Sequence, residues 1–128
     1  MQRYAVMFRV RPGTEKQVEE LLSSYDPPSP VIDDETRLVS TSVFMKDNLV
    51  IRMIEIEGSL PKVMAHLSQE PVIQNVEKEL DKYLVEEDKR DMSSVEGTRA
   101  FFLNAMMTTV TTRIPDDYRP QPVGEGEA

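Results

Sequence analysis

The sequence has no cysteine, no tryptophan and one histidine, His66, among its 128 residues. Without thiols there is no disulfide framework, no thiolate nucleophile and no Cys-ligated metal, and a single histidine makes an ordinary zinc site a poor expectation. No Gly-rich phosphate loop, nucleophile elbow or metal-ligand spacing occurs, which argues against nucleotide-binding, hydrolase and metalloenzyme classes together. No apolar run approaches membrane-spanning length, and Met1 leads into a strand-like segment without an apolar signal region. Positive charge is also scarce. Fifteen Lys and Arg against 23 Asp and Glu give a formal charge of -8 with no basic stripe, which argues against nucleic acid or a membrane surface as the main partner. These absences lead us to expect a soluble, cytoplasmic protein without metal or cofactor.

What is present is organised around Leu38 to Ile56. Two β-rich runs, Leu38 to Met45 and Leu49 to Ile56, flank a polar trio with turn chemistry, Lys46, Asp47 and Asn48. A two-residue loop at Asp47 and Asn48 would pair Met45 with Val50, Val43 with Arg52 and Thr41 with Ile54. One face then carries Thr41, Val43, Met45, Val50, Arg52 and Ile54, and the other Ser42, Phe44, Ile51 and Met53, so both faces need covering.

Before the hairpin, Gln2 to Arg11 alternates as a strand and stops at Pro12 and Gly13; Thr14 then opens a helix whose stripe is Val18, Leu21 and Leu22. Ser24 to Arg37, with three prolines, reads as a long loop. After the hairpin, Ser59 caps a helix carrying Leu60, Val63, Met64 and Leu67, and Glu70 and Pro71 separate it from a second carrying Val72, Ile73, Val76, Leu80 and Tyr83. A further helix from Ser93 or Ser94 through Leu103 is weakened at Gly97 by roughly 1 kcal/mol. Met106 to Ile114 is Thr- and Val-rich and reads as a last strand. We therefore expect an α+β domain over residues 1–114, ferredoxin-like βαββαβ with an extra helix before the last strand, and an acidic, Pro- and Gly-rich disordered tail over 115–128.

Helices on one side of such a sheet leave the other bare. We expect that bare face to hold the Arg52 set, and the apolar Val43, Met45, Val50 and Ile54 beside it to require a second copy, giving a homodimer with a cavity between or beside the sheets. Arg9 and Arg52 stand inside strand patterns, where a guanidinium needs an anionic or carbonyl partner; ligand oxygens and a structural ion pair are the two readings. Tyr25 and Asp26 open the proline loop and are either a proton-transfer pair or a packed helix end and a turn. His66 falls off the apolar stripe and reads as a solvated helix residue. Thr41 offers a cavity hydroxyl, and Met7, Val43 and Met45 an apolar lining.

Four segments then carry a resemblance: RYAVMFRVRPGTEKQVEELL, TRLVSTSVFMKDNLVIRMIEIEG, HLSQEPVIQNVEKELDKYL and RAFFLNAMM. Together they resemble the SchA/CurD-like family of aromatic polyketide clusters, spore-pigment clusters included. The first three also resemble, more distantly, tetracenomycin-type aromatic polyketide cyclases, which are dimeric α+β barrels. That second resemblance implies a strand arginine at Arg9 and the carboxylate of a His-Asp pair at Asp26. Tyr25 replaces the histidine of that pair, Thr41 replaces a cavity arginine and Arg52 replaces a second cavity histidine. The implied function is a cofactor-free cyclase or aromatase acting on a poly-β-keto intermediate. Asp26, Tyr25 and Arg52 would be catalytic, and Arg9, Thr41, Met7, Val43 and Met45 would bind substrate. The alternatives are a cofactor-independent monooxygenase of a polyphenol and a non-catalytic polyketide-binding protein in contact with synthase components.

Overall fold

The computed structural model describes residues 1–92 and 94–115. The expected tail lies, from residue 116 onward, outside the described residues. The elements run β1 (Gln2–Arg9), α1 (Glu15–Ser24), β2 (Arg37–Lys46), β3 (Leu49–Glu57), α2 (Leu60–Gln69), α3 (Pro71–Asp81), a single 3-10 turn (Glu86–Asp88) and α4 (Val95–Ala105). The three strands form one antiparallel sheet in the order β1-β3-β2.

The hairpin closes in the register its two-residue turn demands, with Met45 opposite Val50, Val43 opposite Arg52 and Thr41 opposite Ile54. Asp47 takes the left-handed conformation at φ 52, which Asp tolerates and the turn requires. Asn48 does more than turn the chain. Its side-chain amide donates to the Val10 carbonyl at 2.9 Å, and its own carbonyl accepts the Val10 N–H at 2.9 Å, so the tip of the hairpin is tied to the end of β1.

Helix starts follow local chemistry. Ser59 accepts from the Lys62 N–H ahead of α2, and Ser94 accepts from the Gly97 N–H at 3.0 Å ahead of α4. Thr14 differs from expectation: its hydroxyl donates back to the Arg11 carbonyl, and the Glu15 carboxylate accepts the Gly13 N–H instead. Gly97, unfavourable in a helix by propensity, stands where α4 meets the Asp91 carbonyl too closely for any side chain.

Two expectations are corrected. First, the face carrying Arg52 is the covered one, not the bare one. Phe8, Val10, Val50 and Ile56 are buried, and Phe8, Val10 and Val50 pack with Val18 and Leu22 of α1 and Val76 and Leu80 of α3. Cross-strand register puts Arg52, Val43 and Thr41 on that same side. The hairpin's own pattern is nearly symmetric between faces; Phe8 and Val10 on β1 decide the matter by supplying the side with the larger apolar area. The open face carries Met7, Ser42, Phe44, Ile51 and Met53, with Phe44 54% exposed.

Second, Met106 to Ile114 forms no strand. Met106 makes one antiparallel bridge to Val6, the Met107 N–H donates to the Ala5 carbonyl at 2.8 Å, and the Thr109 hydroxyl reaches the Arg3 carbonyl at 3.4 Å. Residues 108–115 are all exposed. β-Propensity reflects fit to a half-buried pleated surface, and with no side chain of the domain to pack against, this segment gains nothing to offset its ordering entropy.

Gly58 ends β3 at φ 95, and a Cβ there would collide with the Glu35 carbonyl and with Thr36, the buried polar residue that closes the loop before β2. Gly58→Ala therefore meets both backbone strain and a backbone clash, and is expected to lower stability by about 2 kcal/mol or more, read as a reduced urea midpoint.

Candidate functional site

The helix-side surface of β2 is not fully roofed. Val43 is 41% exposed and Thr41 is exposed, although both share a face with the buried core. Between this strip and α1 lies a groove of about 420 Å³ lined by Glu19, Leu22, Ser23, Val43 and Met45. Leu22 is buried in the core, and Met45 and Tyr25 are half-buried against it, so the groove has a firm apolar floor.

Arg52 sits beside Val43 in register, and its guanidinium is held rather than loose. Its Nη1 donates to Glu77 on α3, at 2.8 Å from Oε2 and 3.1 Å from Oε1. The same carboxylate accepts Arg90 Nη2 at 2.8 Å, and Arg90 also donates to the Glu77 carbonyl at 3.1 Å and, through Nε, to Asp81 at 2.6 Å. The Arg90 guanidinium lies 4.7 Å from the centre of the Phe101 ring, which packs 6.4 Å from Phe8. One carboxylate thus joins the sheet, α3 and the segment leading to α4. The Arg90 side chain is 1% exposed and that of Arg52 is 23% exposed, so only Arg52 keeps access to solvent. No other hydrogen bond of the Arg52 guanidinium falls among the described residues, leaving its remaining N–H groups available to a ligand.

Burial alone would raise the Glu77 carboxyl, but the charges and hydrogen bonds of Arg52 and Arg90 outweigh it and hold the group below the usual carboxylate range. A carboxylate depressed in the folded state contributes stability that is complete above its unfolded value and is lost as the pH falls through its folded value.

The candidate residues separate into groups. Thr41, Val43, Met45 and Arg52 share one face. Tyr25 and Asp26 directly follow α1, whose Leu22 and Ser23 line the groove; Tyr25 packs on the core, and Asp26 is exposed with no hydrogen-bond partner among the described residues. Arg9 and Met7 lie on the opposite face. The Arg9 side chain is 60% exposed, not buried, with its backbone N–H on Asp88 at 2.6 Å and its Nε 4.0 Å from that carboxylate. Met7 lines a separate cavity of about 320 Å³ with Phe8, Asp88, Arg90, Phe101 and Asn104. Arg9 and Met7 therefore do not join the groove with Arg52.

His66 is half-buried rather than solvated: Nε2 lies 3.2 Å from the Ser29 carbonyl and 3.8 Å from the Glu70 carboxylate, tying the proline loop to α2. Glu77 and Arg90 were not singled out by the sequence reading. A signal existed for Glu77, since Ile73 at i−4 and Leu80 at i+3 set it within the apolar stripe of α3. Nothing local marked Arg90. Among the described residues no three His, Asp or Glu side chains gather as a metal site, and no helix is long and apolar enough to cross a membrane.

Glu77→Gln leaves two guanidiniums without their shared charge, and a loss of about 3 kcal/mol is expected by urea denaturation at neutral pH. The loss should shrink as the pH falls below about 4.5 and through the depressed folded value, because the wild-type protein then forfeits the same charge.

Known proteins resemble this chain in sequence and in fold. The sequence matches the SchA/CurD like domain over residues 1–114. It is 41% identical over 108 residues to a Streptomyces cyaneus protein named polyketide synthase CurD, covering 84% of this chain and 29% of that one. A 42.8 kDa protein of the whiE locus of Streptomyces coelicolor is 40% identical, with 84% and 27% covered. Protein SchA of Streptomyces halstedii is 36% identical, with 84% and 28% covered. The chain thus spans less than a third of the length of these curated relatives. Among solved structures, tetracenomycin F2 cyclase of Streptomyces glaucescens, described as a type-II polyketide cyclase, superposes with a TM-score of 0.58. That match covers 90% of this chain and 99% of the cyclase at 14% identity, so what the two share is the fold. From the match across its body and from these relatives, the chain belongs to the SchA/CurD-like domain family.

Proposed function

We propose that this protein acts in aromatic polyketide biosynthesis, holding a poly-β-keto intermediate in the groove between α1 and β2 and promoting its ring closure with loss of water. The observation that carries this reading is the open strip of β2. A groove of about 420 Å³ with an apolar floor at Leu22, Val43 and Met45 has the partly accessible Arg52 beside it. An apolar trough with few convergent polar groups suits a flat, oxygen-rich chain. The names of the relatives and the cyclase fold support the same class of ligand.

In this reading Asp26 takes a proton from a methylene between two carbonyls, and the enolate carbon attacks a distant carbonyl of the same chain. Arg52 stabilises the enolate oxygen and Thr41 orients the carbonyl under attack. The alkoxide so formed takes the proton back from Asp26 to become a hydroxyl, and Asp26 then removes the second proton of the same methylene. The hydroxyl leaves as water with a proton from Tyr25, which the Asp26 carboxyl restores. The groove supplies the folded conformation that ring closure needs. A second reading, in which the protein shelters the intermediate without chemistry, draws on the Arg52–Glu77 pair, because a guanidinium already held at 2.8 Å has a structural partner.

The open sheet face suggests an assembly. Met7 and Phe44 are exposed and Ile51 and Met53 between and beside them are half-buried, an apolar patch of the kind that marks an interaction surface. In the homodimer we propose, two such faces pack together and leave each groove on the outer, helix-bearing side.

Product analysis by mass spectrometry, with a minimal aromatic polyketide synthase supplying the substrate, tests the chemistry. Asp26→Asn should lower cyclised product about 100-fold with the fold retained by circular dichroism. Val43→Trp, which fills the groove, should abolish both binding and product. Unchanged product in Asp26→Asn beside loss in Val43→Trp would establish sheltering without catalysis, and gain of oxygen rather than loss of water would establish a monooxygenase. For the assembly, light scattering should give a dimer at micromolar concentration and a monomer for Phe44→Glu; a wild-type monomer contradicts it.

A further inference from the structure

The Glu77 carboxylate is shared between two arginines that stand in different places. Arg52 is next to the groove and 23% exposed; Arg90 is 1% exposed and lines the separate cavity on the β1 side. Asp81, 35% exposed, competes with Glu77 for Arg90 through the 2.6 Å contact to Nε. The four side chains sum to zero formal charge, and of the two guanidiniums only that of Arg52, with an edge not engaged by Glu77, keeps access to solvent. How electropositive that edge is depends on how far Arg90 draws the Glu77 charge away from Arg52. At the low effective dielectric of a half-buried site, such a redistribution matters at the scale of a pKa unit.

We propose that Arg90 is a positioning residue which, acting through Glu77 and without touching the ligand, tunes Arg52 to bind the enolate form of a 1,3-dicarbonyl group. This rests on the proposed function of the groove and names both the charged form recognised and the residue that sets its strength. The free edge of a guanidinium presents parallel N–H donors, and an ionised 1,3-diketone presents two oxygens in one plane at matching spacing. Binding as the enolate releases the methylene proton to solvent. Removing the Arg90 charge leaves the full Glu77 charge on Arg52 and weakens the anion site. Removing the Asp81 charge frees Arg90 to hold Glu77 more fully and strengthens it. The low-lying Glu77 carboxyl agrees with a carboxylate that stays charged throughout. The ionisable group that lines the groove itself, Glu19 on α1, is exposed and is left unaltered in every variant.

The test uses the full chain and benzoylacetone, a 1,3-diketone whose enolate has its own ultraviolet band, titrated with pH in the presence of saturating protein. The wild type should lower the apparent pKa of the bound diketone by about one unit, and Arg52→Met should abolish the shift. Arg90→Gln should raise the bound pKa relative to wild type, and Asp81→Asn should lower it, the two moving in opposite directions. A merely structural Arg90 would change the melting temperature and leave the bound pKa alone. Loss of the shift already in the wild type overturns the groove reading itself. A wild-type shift that Arg52→Met removes, but that Asp81→Asn leaves unchanged or weakens, overturns the role of Arg90 and leaves the groove reading standing. Should Arg90→Gln not fold, the Asp81→Asn titration decides alone, since Asp81 is only partly buried.

Discussion

A single half-buried carboxylate holds the architecture to its site. Glu77 reaches from α3 down to Arg52 on the central strand and across to Arg90 ahead of α4, so the helix layer cannot shift over the sheet without separating charges in a poorly solvated space. The Arg90 guanidinium packs on Phe101, and Phe101 packs near Phe8, which carries this polar contact into the apolar core. Charge pairing of this kind adds little net stability over a well-packed apolar alternative, but breaking it on one side is costly. Its value here is geometric: it fixes the position of Arg52, the cross-strand neighbour of Val43 in the groove wall.

The second constraint is that three strands must satisfy two faces. The helices use the side on which Phe8, Val50 and Ile56 fall, and there are too few helical residues to cover β2 as well. The uncovered strip of β2 becomes the groove, and the uncovered reverse face becomes a surface of Met7, Phe44, Ile51 and Met53. Both openings arise from one shortage of covering structure. The segment after α4 does not relieve it, because it touches the edge of β1 around Met106 and then runs exposed.

This geometry redistributes the candidate residues. Arg9 and Arg52 look equivalent as strand arginines, yet one projects into solvent beside Asp88 and the other is clamped beneath a helix. Met7 and Met45 look equivalent as strand methionines and stand on opposite faces of the sheet. His66, set aside by helical period, proves to staple the proline loop to α2.

Local chemistry determined the elements and the hairpin: the polar trio at residues 46–48, the period-two run of β1, Ser59 before Pro61, and the break at Glu70 and Pro71 each act within a few residues, so each was legible in the sequence. The register followed too, because a two-residue turn leaves only one pairing. The choice of face was not legible, since the hairpin is apolar on both sides and the larger core elsewhere breaks the tie. The absent last strand was not legible either: Met106 to Ile114 has the composition of a strand, and whether it becomes one depends on finding an edge and a surface to pack on. Nor was the partner of Arg52, because Glu77 and Arg90 lie 25 and 38 residues further along the chain and meet Arg52 only when α3 docks. Interactions set by neighbours in sequence can be read from sequence; those set by which side of a sheet is cheaper to bury are decided only by the assembled core.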